Sequence, residues 1–140
     1  VTYYLDSTVA MYAASRAQRY KQAAIEVLRA VAASSIEAAT SATAIEDIMY
    51  RFAGLGRPEE GVDLADQFMR VVPVVYELTS ADLSRAFTLM RAEPRLSFRV
   101  AVHGAIMQAH SIQAIITVDT AFDLISACTR TDLATWQPPQ

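Results

Sequence analysis

Two aspartates stand directly after short apolar runs rich in β-forming residues. Asp6 follows "VTYYL" and Asp119 follows "AIITV". A hydroxyl residue lies two positions from each, Thr8 and Thr117, close enough in sequence to steady a carboxylate by hydrogen bonding. A third acid is offered by "SATAIEDIMYRFAGLG", where Glu46 and Asp47 sit one to two turns into a helix. Neighbouring helical residues point about 100° apart, so only one of that pair faces a common site. Carboxylates gathered in one place repel and raise each other's pKa. A divalent cation removes the conflict, and an all-oxygen set with no Cys and little His favours Mg2+ or Mn2+. Such an ion generates hydroxide near neutral pH and stabilises charge on a phosphodiester, so the chemistry suggested is phosphodiester hydrolysis. Taken singly, each acid has a plainer reading: Asp6 as a helix cap, Asp119 as a turn residue, Asp47 as a solvated acid. The joint pattern is what points to a site.

These residues need elements to bring them together. "VTYYLD" reads as a strand ending near Leu5, then "STVAMYAAS" as a short helix capped by Asp6 or Ser7. "RAQRYKQAAIEVLRAVAAS" carries Tyr20, Ala24, Val27, Leu28 and Val31 at helical spacing. "SIEAAT" is a second strand, and the helix after it ends at Gly54 or Gly56. "RPEEGVDLADQFMRVV" opens a helix with Pro58 and two acids, "PVVYEL" is a third strand, and Thr79 with Asp82 forms a capping box for "SADLSRAFTLMRA". "SFRVAVHGAIMQAHS" is a helix capped by Ser97, "QAIIT" a buried fourth strand, "VDTAFD" a polar loop, and the tail holds one last strand before it frays. The alternation predicts an α/β fold: a three-layer α/β/α sandwich with a central, mostly parallel sheet of four to five strands, formed by residues 1–140 as a single domain. In such a sheet function gathers outside the carboxyl ends of the strands, where both aspartates fall.

Composition narrows the function classes. Hydrophobic residues make up 53 % of the chain, enough for a core, while charged residues are only 19 %, which leaves apolar surface for self-association or a partner. The net charge of −3 excludes a global basic field for nucleic acid, so such binding needs local arginines or a metal ion. Lys21 is the only lysine among 12 basic residues; arginine forks suit phosphate, although they serve solvated helix faces equally well. Cys128 is alone, which excludes an intrachain disulfide or a Cys-based zinc site and makes a reducing cytoplasm the simplest compartment. No apolar run approaches a membrane span, and the N-terminus lacks a signal-peptide pattern. Four glycines supply no phosphate-cradling loop. His103 reads more readily as a packed or solvated histidine than as a site residue, His110 as a helix-end cap, Cys128 as a small hydrophobe, and Trp136 as an anchor for the tail or a partner.

Three blocks together resemble a known family. "YYLDSTVAMYAA", "TSATAIEDIMYRFAGLGRPEEG" and "LSFRVAVHGAIMQAHSIQAIITVDTAFD" are similar, in order and over nearly the whole chain, to the blocks of PIN domains, and most of all to VapC-type toxins of bacterial toxin–antitoxin pairs. "ITVDTAFD" is the most specific piece. The resemblance implies the sandwich fold, Mg2+- or Mn2+-dependent cleavage of RNA, restraint by a cognate antitoxin, and homodimers. It assigns the metal-holding, catalytic acids to Asp6, to Asp47 (with Glu46 as the fallback register) and to Asp119, with Thr8 and Thr117 supporting and Asp123 adding nearby charge. Arg99 becomes a candidate RNA contact. The sequence departs from the pattern twice. Asp47 stands where the family usually has Glu, and Val100 stands where it expects Asp. Losing a ligand should cost metal affinity at least the 10- to 100-fold that supporting residues do. Three explanations are open: a naturally weak or silent homologue, an inactivated variant of an active toxin, or compensation by another acid such as Asp123.

Overall fold

The computed structural model describes residues 1–16 and 18–139. Five strands, β1 (Thr2–Leu5), β2 (Glu37–Ser41), β3 (Val74–Tyr76), β4 (Ala114–Thr117) and β5 (Thr129–Asp132), form one sheet in the order β3-β2-β1-β4-β5. Every pairing is parallel. The helices are α1 (Ser7–Ala14), α2 (Lys21–Ala32), α3 (Ala42–Gly54), α4 (Pro58–Val71), α5 (Ser80–Ala92) and α6 (Phe98–Ala109), with a 3-10 turn at Thr120–Leu124. The sandwich expected from the alternation is the architecture observed, with the sheet fully parallel.

Period-two alternation sends successive strand residues to opposite faces. Leu5, Ala38 and Ile116 join Val9, Val27, Ile48 and Phe68 in a core beneath α1 to α4. Tyr4, Ala39 and Ile115 join Ala101, Ile106 and Phe122 in a second core beneath α5 and α6. Trp136 is buried in the first core and so pins the segment after β5.

The helix ends follow from local chemistry. Asp6, Ser41 and Ser97 each accept a backbone N–H from the first turn of α1, α3 and α6, and Thr79 and Asp82 form the reciprocal capping box of α5. α3 closes on Gly56, whose φ of 70° lets its N–H reach Ala53 O while Arg57 N–H reaches Phe52 O, a Schellman end. The "VDTAFD" segment, expected as a loop, is the 3-10 turn capped by Asp119.

α3 and α4 pack closely because Gly61 carries no side chain: a Cβ there would lie 2.8 Å from Phe52 Cβ, an atom next to the backbone with little room to yield. Gly61→Ala is therefore expected to lower stability by about 1–2 kcal/mol in urea unfolding, overpacking outweighing the gain in helix propensity. Gly54→Ala, where a Cβ meets nothing within 4 Å, is expected to be neutral or stabilising by about 0.4–1 kcal/mol.

Candidate functional site

Along the chain, β1 is followed by β2 and β3 to one side, and the chain then returns to lay β4 and β5 on the other. The carboxyl ends of β1 and β4 therefore border the crevice where such sheets bind ligands. The register pairs Leu5 with Ile116, which brings the next residues, Asp6 and Thr117, side by side. Thr117 Oγ1 donates to Asp6 Oδ2 at 2.8 Å and accepts the Asp119 N–H at 3.0 Å, so one hydroxyl ties the two aspartates together. Thr8 Oγ1 donates to Asp6 Oδ1 at 2.6 Å, and the Thr8 N–H reaches the same oxygen at 3.2 Å. Asp6 is fully buried, and burial pushes its pKa up, opposed by its hydrogen bonds from Thr8 and Thr117.

Asp47 reaches the same place from α3, while Glu46 beside it is exposed. His103 Nε2 and Arg99 Nη1 each lie 2.9 Å from Asp47 Oδ2. Arg99 Nη2 donates to Asp119 Oδ2 at 3.1 Å. The other Asp119 oxygen accepts the Ala121 N–H at 2.9 Å. The Arg99 fork thus holds one aspartate on each terminal nitrogen.

His103 is fully buried against Tyr4 and Phe122. Its Nδ1 is 2.6 Å from the Tyr4 hydroxyl, which is 2.7 Å from Ser41 Oγ. Ser41 Oγ also accepts the Ala44 N–H at the start of α3. For a neutral ring one direction satisfies every partner: Ser41 donates to Tyr4, Tyr4 donates to Nδ1, and Nε2–H donates to Asp47. In that tautomer the 3.4 Å approach of Arg99 Nη1 to Nε2 sets donor against donor and is a contact, not a hydrogen bond. Burial raises the Tyr4 phenol pKa and keeps the hydroxyl protonated.

Asp6, Asp47, Asp119, Thr8 and Thr117 are brought together; Asp123 is not. Both its oxygens are engaged by Arg130, Oδ1 by Nε at 3.0 Å and Oδ2 by Nη2 at 3.2 Å, so it adds no charge to the cluster and supplies no substitute acid. Val100 is 2 % exposed and packs with Tyr4, Ile106 and Phe122 in the second core. Two contributors were not expected from sequence in these roles: His103, read as packed or solvated, and Arg99, read as an RNA contact. The available signal was their spacing of four residues, which puts both on one face of α6.

Among the described residues, no three Asp, Glu, His or Cys side chains form a group able to hold a metal ion. An Mg2+ ion lies about 2.0–2.1 Å from its ligands and would need the oxygens that Arg99 now holds. In this arrangement the residues do not fit the ion. A groove of about 780 Å3 adjoins the cluster at Thr8 and runs between α1, α3 and α4 past Tyr12, Arg16, Arg51 and Phe52. Arg57, also on its wall, is paired with Glu60.

No family model matches the chain. Among curated proteins it is similar to Ribonuclease VapC13 of Mycobacterium tuberculosis, 26 % identical over 119 residues that cover 85 % of this chain and 91 % of that protein. Among solved structures it is similar in fold to VapBC2 from Rickettsia felis bound to a DNA fragment from their promoter. The TM-score there is 0.73 at 12 % identity, covering 94 % of this chain and 98 % of that one. The Mycobacterium tuberculosis Sarcin-Ricin loop cleaving toxin VapC20 gives a TM-score of 0.64 at 19 % identity, covering 82 % and 87 %.

Two substitutions test the network. Tyr4→Phe leaves His103 Nδ1 buried without a donor and is expected to cost about 1–3 kcal/mol in chemical unfolding. Asp6→Asn keeps the cap and removes a buried charge. Because burial raises the folded-state pKa of Asp6 above its unfolded value, the folded protein loses stability as pH rises through the carboxylate range. Asp6→Asn is therefore expected to melt at a higher temperature than the parent at pH 7, with the difference vanishing as pH falls below that range.

Proposed function

We propose that this chain is a single PIN-like domain of the VapC toxin class, a ribonuclease-type protein directed at RNA phosphodiesters and restrained by a cognate antitoxin, with its cleavage chemistry weakened. The observation that carries the reading is the convergence of Asp6, Asp47 and Asp119, with Thr8 and Thr117, at the crevice between β1 and β4. The likeness to VapC ribonucleases supports the same class.

In this reading the groove beside Thr8 receives the RNA strand. Arg16 and Arg51 lie along it and supply the local positive charge that the net charge of the chain does not. Asp6 is held rigid by its two threonines, Asp47 is oriented by His103, and Asp119 by the 3-10 turn it caps. Asp6, Asp47 and Asp119 are the proposed catalytic acids. Mg2+ or Mn2+ belongs to the proposal through the family resemblance alone, since the arrangement described has no place for it. Tyr50, Leu55, Val62 and Met69 are exposed apolar residues on or just after α3 and α4, and they suit contact with an antitoxin or with a second copy of the chain. No helix among the described residues is long and apolar enough to cross a membrane, and a cytoplasmic location is proposed with the toxin class.

A second reading is a silent binding module that grips RNA or a partner without cutting. It is favoured by one observation, the Arg99 guanidinium set between Asp47 and Asp119. Incubation of the parent and of Val100→Asp with ribosomal RNA and Mn2+ separates the two. The ribonuclease reading expects Val100→Asp to cut at least about tenfold faster than the parent, the lower end of what a lost ligand environment costs. No cleavage by either protein, with RNA still bound in a salt-dependent manner, would establish the binding module instead.

A further inference from the structure

We infer that Arg99 is the resident counter-ion of the aspartate cluster, and that a divalent ion enters only by displacing it. The inference rests on the site assignment made above but not on RNA being the substrate.

The geometry is specific to a fork. Each terminal nitrogen of Arg99 serves a different carboxylate, Asp47 Oδ2 at 2.9 Å and Asp119 Oδ2 at 3.1 Å. Arg99 follows directly on the Ser97-capped start of α6, so the helix fixes where its side chain begins. Asp47 is held by His103 on the next turn, and Asp119 by Ala121 N–H and by Thr117. The carboxylates are thus set in place by other partners, and the guanidinium spans them. The Asp6 charge lies near as well and adds to the field that keeps Arg99 protonated.

The neighbouring position explains why one positive charge serves. With Val100 in place of an acid, the cluster carries Asp6, Asp47 and Asp119 against Arg99. A fourth carboxylate would leave a larger excess of negative charge, which a divalent ion neutralises better than a guanidinium does. Arg99→Ala removes the occupant and leaves the acids with their remaining partners.

The test is titration of Mn2+ into the full chain, followed by the electron paramagnetic resonance signal of the free ion, with no RNA present. Arg99→Ala is expected to bind Mn2+ at least about tenfold more tightly than the parent, a change of the size that altering a metal's surroundings produces. Arg99→Lys keeps the charge but offers a single point that cannot bridge both acids, and is expected to fall between the two. Equal affinity for parent and Arg99→Ala, both shown folded by circular dichroism, would overturn the inference. If Arg99→Ala does not fold, nitrogen-15 spectra of the parent decide. Restricted Arg99 Nη signals support it. Freely averaged Arg99 signals, or restricted signals unchanged when Mg2+ saturates the aspartates, overturn it. Absence of RNA cleavage bears on the proposed function and leaves this result untouched.

Discussion

A guanidinium between two carboxylates is the contact around which the carboxyl end of this sheet is arranged. Asp6, Asp47 and Asp119 come from three separate stretches of chain, and their charges oppose one another where water is scarce. Arg99 gives Asp47 and Asp119 a shared partner, linking α3, α6 and the turn after β4 across the crevice. Its side chain is 41 % exposed, so solvent screens the pair and its contribution to stability is modest. Its weight lies in occupancy: His103, Ala121 and Thr117 set the two aspartates in place, and the fork takes up one oxygen of each.

That arrangement depends in turn on a sheet built from short strands. β1 lies between β2 and β4, and its register with both sets the positions of Asp6, Ser41 and Thr117. Tyr4 passes to the α6 side of the same strand that presents Asp6 at its end, and its hydroxyl joins Ser41 to His103. The buried chain from Ser41 to Asp47 therefore connects the cap of α3 to the acid of α3 by way of β1 and α6. Any shift of one strand against another would break several of these bonds at once, and because successive side chains alternate between faces, a slip by one residue would exchange the two cores.

Much of this was legible because it rests on local rules. An acid after β-formers, Thr79 with Asp82, and Ser97 before an apolar helix all report geometry that the neighbouring residues settle. What was not legible depends on distance along the chain. His103 finds Tyr4 from 99 positions away and Asp47 from 56, and no local pattern announces either bond. Asp123 is diverted by Arg130, seven residues later on an adjoining strand. The helix ends divide the same way. Gly56 marks the close of α3, but α2 and α6 close through Ser34 and Ser111 at φ of 58° and 56°, residues that do not advertise a left-handed turn. β3, at the edge of the sheet, pairs over only Val74–Tyr76, shorter than the run of β-formers around it.

Arg99 and Val100 belong to a single physical trade. Val100 sits in the first turn of α6, its N–H on the Ser97 cap and its side chain in the core with Tyr4 and Phe122. A carboxylate at that position would have to leave the core or be neutralised beside the aspartates already present, since burying an unpaired charge is costly. Valine avoids that cost and anchors the helix start by apolar contact. The anchored start fixes the backbone from which Arg99 extends to Asp47 and Asp119, while Thr8 and Thr117 serve Asp6. The apolar anchor at Val100 and the Arg99 bridge thus act in the same direction: the first adds no charge to the cluster, and the second holds two of its carboxylates with a group of the chain itself.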